Sequence, residues 1–544
     1  MTKLILIAIV FFLYYYWVFS STGTILADLL KIRTRNIYLS MIMGFFFYFA
    51  TIAFLLIPLE FIGNLKYIVL VYYLLAINIL YAVILLLFVR FWFNYRLLDW
   101  NHLLFVLVFT MFIFLYYLKN LFITPSGQNL SNSFVLTFYN FNFDNGRVIF
   151  NLNSEVTLSA NSTLSAVPWF TNVSMWFAMT KLNPIDITTN LLDIFDALLF
   201  ASIFITLLNN FSKKNSNKII IGSLSLVTLL ASKLLIYYFG YDAWHPENML
   251  TNLFFVLFIL ISIYTNREYR SRNMPWIIGF IFASYITFDW DASYIILFTI
   301  YVTTWISILR FRTNFLKDFV KFSAVSSICF IVYNARLKNL LLIFIFLALL
   351  LLMLFIAFLL YRNYTRIREI EFAIYERRRG FIFVIPTIFT IISVVIVLAT
   401  NQINLDFWTL EKIAQPLFVQ LELGRWREIT DTVFISISFF FLGFALIWIL
   451  FMERIPNFVA KTQITMLSIL TVSFFNPLVG RFLIWIFNSQ ALLNNATVFI
   501  VALLVAINTT VYAIKTKPFN FKLSRFFPPP KKLTFKHKAK TTRK

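Results

Sequence analysis

Cysteine is almost missing from this chain. Cys329 is the only one in 544 residues, which excludes an intrachain disulfide and a cysteine-built metal site. Histidine is nearly as scarce, with three. Charged residues make up 13% of the chain, about half the share of roughly 25% usual in soluble domains. No GxxxxGK, Rossmann glycine pattern, HExxH or GxSxG occurs, so no nucleotide-driven engine or hydrolase motif is legible.

What is present is apolar. Hydrophobic residues reach 61%, with 68 Phe, and mean hydropathy is +0.83. No single water-soluble core hides that much apolar surface. Apolar stretches near 18 residues or longer recur along the chain, each matching the roughly 30 Å hydrocarbon core of a bilayer. Backbone polar groups in lipid must be satisfied within the segment, so these stretches are expected to be helices. They lack the alternation of β-barrel strands.

The expected spans cover 4–20, 37–59, 67–89, 102–118, 191–210, 219–240, 249–266, 274–288, 292–309, 320–334, 339–360, 381–400, 432–451, 463–476 and 494–514. The fold class expected is an all-α polytopic integral membrane protein of about 13–15 transmembrane helices with a partly ordered outer loop. Residues 1–119 hold the N-terminal helices, and Met1 to Ser20 reads as a retained first span rather than a cleaved signal. Residues 120–190 form the large outer loop and 191–361 the central helices. A basic cytoplasmic linker follows at 362–380. Residues 381–514 hold the C-terminal helices with an outer loop at 401–431, and 515–544 is a basic cytoplasmic tail.

The net charge of +23 is explained by where the cations fall. Lys31, Arg33 and Arg35 share one side with Arg90 and Arg96, with Lys213, Lys214 and Lys218, and with Arg267, Arg270 and Arg272. Arg310, Arg312, Lys317, Lys321, the linker and the tail join them, while most acids fall opposite. This is the positive-inside pattern. It sets the N-terminus outside and the C-terminus in the cytoplasm, with the tail touching anionic lipid. Nucleic acid is not expected as a partner. The localisation expected is the cell membrane.

The outer segments carry the candidate chemistry. Within 120–190, alternating pieces such as SFVLTFYNFNF suggest strands or interface-hugging segments, and Asp144–Asn145–Gly146 is a turn signal. The segment from Pro168 reads as an amphipathic interface helix whose Trp169 and Trp176 act as anchors. Asp193 and Asp196 follow, three apart on one helix face, and are expected to face water. Asp242, Trp244, His245 and Glu247 crowd one turn. They suit acid–base chemistry or a divalent ion, although no metal spacing is matched. Asp289 and Asp291 flank Trp290 in another outer turn. Arg425 and Arg427 run against the positive-inside trend. They pair with Glu422, Glu428 and Asp431 or fork onto phosphate. Asn476, Pro477 and Gly480 interrupt a late apolar run, as in the broken helices of transporters.

Two phrases, Lys181–Leu182–Asn183–Pro184–Ile185–Asp186 and Phe475 to Val479, resemble phrases in a group of multi-pass membrane proteins of Gram-positive bacteria. The layout resembles the GT-C superfamily of glycosyltransferases. The resemblance implies sugar transfer from a polyprenyl-phosphate carrier at the outer face. Asp144 or Glu155 would be the base with His245 nearby, and Arg425 and Arg427 would hold the phosphate. Asp242, Glu247, Asp289 and Asp291 would line the substrate. The sequence departs from that superfamily in two ways. The 120–190 loop has no adjacent acidic pair, and four expected spans precede it. The rival readings are a secondary transporter or exporter of a surface polymer, and a non-catalytic assembly protein.

Overall fold

Long apolar runs with few helix breakers wind into helices wherever the chain is described. The computed structural model describes residues 2–31, 37–60, 67–88, 100–118, 168–182, 191–211, 273–288, 315–336 and 340–363, with isolated positions elsewhere. Nine helices lie in these stretches: α1 (Thr2–Leu29), α2 (Ile37–Glu60), α3 (Tyr67–Leu87), α4 (Trp100–Leu118), α5 (Pro168–Thr180), α6 (Leu192–Phe211), α7 (Met274–Phe288), α8 (Phe315–Arg336) and α9 (Leu340–Arg362). No strand occurs among the described residues. The strand-like pieces expected in 120–167 lie outside them.

Three stretches, Lys3–Leu29, Ile37–Leu56 and Ile68–Leu87, are long and apolar enough to cross a membrane. The first runs past the expected end near residue 20. Its hydroxyl-rich stretch is part of the helix, and two of the hydroxyls there are satisfied on the helix's own carbonyls. Ser20 Oγ donates to Trp17 O at 3.2 Å, and Thr24 Oγ1 donates to Ser20 O at 2.6 Å.

The hub is α2, which packs on α1, α3, α5, α6, α7 and α8. Its closest neighbour is α1, and glycine makes that approach possible. A Cβ on Gly23 would collide with the Ser40 carbonyl oxygen, and one on Gly44 with the Phe19 carbonyl oxygen. The two backbones therefore touch directly, as at small-residue crossings where close van der Waals packing holds helices together.

Aromatic rings fill the next layer. Phe195 of α6 meets Phe11, Tyr15 and Phe19 of α1 with ring centres 4.8, 4.4 and 5.9 Å away. It meets Phe45 and Phe49 of α2 at 6.3 and 6.0 Å. Most of these pairs are edge-on or tilted, the arrangement ring quadrupoles favour. On another flank, Phe105 of α4 stacks on Tyr38 of α2 at 4.9 Å, and Phe112 meets Phe200 of α6 at 5.2 Å. Phe47 joins Phe280 of α7 at 4.9 Å, and Phe330 of α8 stacks on Phe346 of α9 at 4.1 Å.

Polarity is distributed against the habit of soluble proteins. Buried polar side chains include Asn78, Asn172, Asp193, Asp196, Ser202 and Thr206. Large apolar side chains stand exposed in rows: Ile5, Leu6, Ile9 and Leu13 on α1, Tyr72, Ile79, Leu80, Val83 and Leu87 on α3. The same holds for Leu103, Val106, Leu107 and Phe114 on α4, and for Leu341, Phe344, Leu351 and Phe355 on α9.

Candidate functional site

The middle of α3 carries one amide in an otherwise apolar run. Asn78 is buried, and all its hydrogen-bonding capacity is used. Its Oδ1 accepts from the Tyr48 hydroxyl at 2.6 Å and the Tyr14 hydroxyl at 3.0 Å. Its Nδ2 donates to Leu74 O at 2.9 Å and reaches Met175 Sδ at 3.4 Å. One side chain thus ties α1, α2, α3 and α5 together. In a low-dielectric interior such a network is stable only when nearly every member is paired.

A second link joins α5 to α1. The Trp176 Nε1–H donates to the Tyr15 hydroxyl at 2.9 Å. At the other end of α5, Trp169 is fully buried against Phe49 and Phe195, both with ring centres within 6 Å. These contacts correct the interface-anchor expectation. Neither indole lies at a rim, because α5 lays its aromatic stripe against residues from the middle of α1 and α2. At 13 residues, α5 is also too short to span about 30 Å at 1.5 Å per residue.

The start of α6 is the second correction. Asp193 and Asp196 are both buried, Asp196 completely. They do not face water. The reason is where α6 begins: Phe195 in its first turn lies level with Tyr15 and Phe49, near the midpoints of α1 and α2. The carboxylates therefore enter the bundle at half height.

Asn172 sits between the two indoles of α5 and is fully buried. Its amide lies beside the Tyr15 hydroxyl, yet neither of its polar atoms meets hydrogen-bond geometry with any partner. Among the described residues, no group of three or more His, Cys, Asp or Glu is placed to hold a metal ion.

Asp144, Glu155, Asp242, His245, Glu247, Asp289, Asp291, Arg425 and Arg427 all lie outside the described residues. The centre at α1, α2, α3, α5 and α6 is instead built from residues with weak sequence signals. Asn78 was detectable as the lone amide at the middle of an apolar span. Tyr14, Tyr15 and Tyr48 are three of 26 tyrosines, with nothing local to distinguish them.

No family model, no curated protein and no solved structure matches this chain.

Proposed function

We propose that this chain is a polytopic integral membrane protein that moves a polar solute across the bilayer through the bundle of α1, α2, α3, α5 and α6. The observation that carries the transport reading is the burial of Asp193, in the first turn of α6, and of Asp196 three residues on, beside Phe195, which meets the middle of α1 and α2. Ionisable groups at such depth are costly and mark ion or substrate paths. A short buried helix followed in sequence by one that carries buried acids is compatible with the site architecture of many transporters.

The membrane reading is supported by the reversed polarity. Leu87 is 79% exposed and Leu341 72%, while Asn78 is only 4% exposed. Contiguous apolar faces of this extent are unstable in water and ordinary in lipid. The proposed orientation keeps the N-terminus outside and the C-terminus in the cytoplasm of a cell-membrane protein, following the basic segments.

Purified protein in proteoliposomes on a solid-supported membrane tests transport with a panel of sugars, amino acids and organic cations. At least one solute is expected to evoke a current or tracer uptake that Asp196→Asn removes. Silence across the panel, or uptake unaffected by Asp196→Asn, rejects the assignment to this core.

Sugar transfer from a polyprenyl-phosphate carrier is the second reading, and one observation favours it. The tail of the 120–190 segment, α5, packs into the core against α3. The segment that carries Asp144 and Glu155 is thereby anchored to the bundle. Its test is transfer of radiolabelled sugar from undecaprenyl phosphate, with Ala at Asp144, Glu155 and His245. Unchanged transfer in all three variants rejects that site.

A further inference from the structure

Met175 and Trp176 sit side by side on α5 and reach different neighbours. Met175 Sδ meets the Asn78 amide of α3 at 3.4 Å, and the Trp176 indole bonds the Tyr15 hydroxyl of α1 at 2.9 Å. Asn172 lies three residues before the first and four before the second, so it occupies the same face one turn earlier. It therefore stands in the seam between α1 and α3, with its amide beside the Tyr15 hydroxyl. Tyr48 of α2 closes the cluster, its ring centre 5.9 Å from that of Tyr15 and its hydroxyl on Asn78. All of these side chains are uncharged.

The two amides of this cluster are served differently. Asn78 Oδ1 accepts from two tyrosine hydroxyls, at 2.6 and 3.0 Å, and its Nδ2 donates to a backbone carbonyl. Asn172 is completely buried, and neither its oxygen nor its nitrogen reaches hydrogen-bond geometry. An unbonded amide at such depth costs the fold stability, and such groups in native proteins call for a role. From this contrast we infer that Asn172 anchors a binding site for a small uncharged solute with neighbouring hydroxyls, a polyol or monosaccharide. This rests on the transport reading and deepens it by naming the substrate class. Asn78 shows the chemistry, since an amide oxygen in this core accepts two hydroxyls at once. Two adjacent hydroxyls of a polyol offer Asn172 the same pair of donors, and their oxygens accept from its Nδ2. Trp169, three residues before Asn172, and Trp176, four after it, place an indole on either side along α5. Aromatic walls with a few polar groups are the usual lining of small-molecule sites. A charged solute would shed its water against neutral groups, which a low-dielectric interior penalises heavily.

The test is thermal unfolding of the full-length protein in detergent with glycerol, inositol, ribose, glucose, choline or acetate as the added solute. At least one of the four hydroxylated solutes is expected to raise the unfolding midpoint with a saturating dose response. At about 100 times its Kd it should favour the folded state by about 100-fold. Saturation separates a site from the unsaturable exclusion by which such osmolytes stabilise any protein. Asn172→Leu should abolish the saturable shift and, without solute, unfold no lower than the wild type, because it removes an unbonded buried amide. The outward-facing Val83→Ala should keep the full shift. A purely structural Asn172 predicts a lower midpoint for Asn172→Leu without solute, and that result overturns the proposal. So does a saturable shift that survives in Asn172→Leu, one given by choline or acetate alone, or none with any solute. Flux separates the two ideas. Solute uptake unchanged by Asn172→Leu rejects the site and leaves transport standing. Saturable polyol binding that Asn172→Leu removes, without uptake of any solute, rejects transport and leaves the site standing.

Discussion

The indole of Trp176 donates a 2.9 Å hydrogen bond to the hydroxyl of Tyr15, a residue 161 positions earlier in the chain. It is the contact that fastens α5 to α1 inside the bundle. Breaking it from either side should expose the coupling. Trp176→Phe and Tyr15→Phe should each lower stability, and a double-mutant cycle should return a coupling of about 0.5–1.5 kcal/mol. Unfolding followed by tryptophan fluorescence or by SDS titration measures it. Strictly additive effects would mean the bond contributes nothing net.

Asn78 offers a sharper test, because its removal takes a shared acceptor from two hydroxyls. Asn78→Leu should cost about 2–5 kcal/mol, since Tyr48 loses its acceptor in a buried site and Tyr14 keeps only its longer bond to the backbone carbonyl of residue 78 at 3.3 Å. Adding Tyr14→Phe and Tyr48→Phe to the same protein should restore part of that loss. Removing all partners together is far less harmful than removing one. A triple variant less stable than Asn78→Leu would refute this account of the network.

The α1–α2 crossing has no room for a methyl group. Gly44→Ala and Gly23→Ala should destabilise by about 2 kcal/mol or more, because backbone rather than a yielding side chain stands in the way. Gel-filtration yield in mild detergent reports it directly. Leu13→Ala, on the exposed face of α1, should stay within about 0.5 kcal/mol of wild type.

Lys181 ends α5 with φ near 50°, and its N–H donates to Phe177 O at 2.9 Å. This is a left-handed helix stop, which glycine adopts without the Cβ penalty. Lys181→Gly should therefore raise stability by about 1 kcal/mol, read as a higher unfolding midpoint. A lower midpoint would show that the lysine side chain matters more than the backbone strain.

Much of the helix layout was readable in advance. Expected spans at 37–59, 67–89, 102–118 and 274–288 coincide closely with α2, α3, α4 and α7, because a run of apolar residues of bilayer length needs no tertiary information to become helical. The end of α1 was not readable. Ser20, Ser21, Gly23 and Thr24 look like a boundary until the hydroxyls of Ser20 and Thr24 are seen bonding back onto the helix. Nor was the role of Gly23 and Gly44 visible, since a glycine in a helix marks a close crossing only once its neighbour is known. The two tryptophans of α5 and the acids of α6 stand out in the sequence, but their burial does not. A sequence gives their spacing on a helix face but not which way that face turns, nor how deep in the bundle it lies.

By itself, then, the sequence determined the helical class and the apolar lengths, properties of segments of about 20 residues whose physics is local. Tertiary structure alone decided that α2 is the hub, that α5 lies within the core and not on its rim, and that Asp193 and Asp196 are buried at half height. Those outcomes depend on contacts between residues far apart in the chain, such as Tyr15 with Trp176 and Asn78 with Met175. Burial and pairing of a polar group are properties of its surroundings, and those surroundings exist only after the helices have packed.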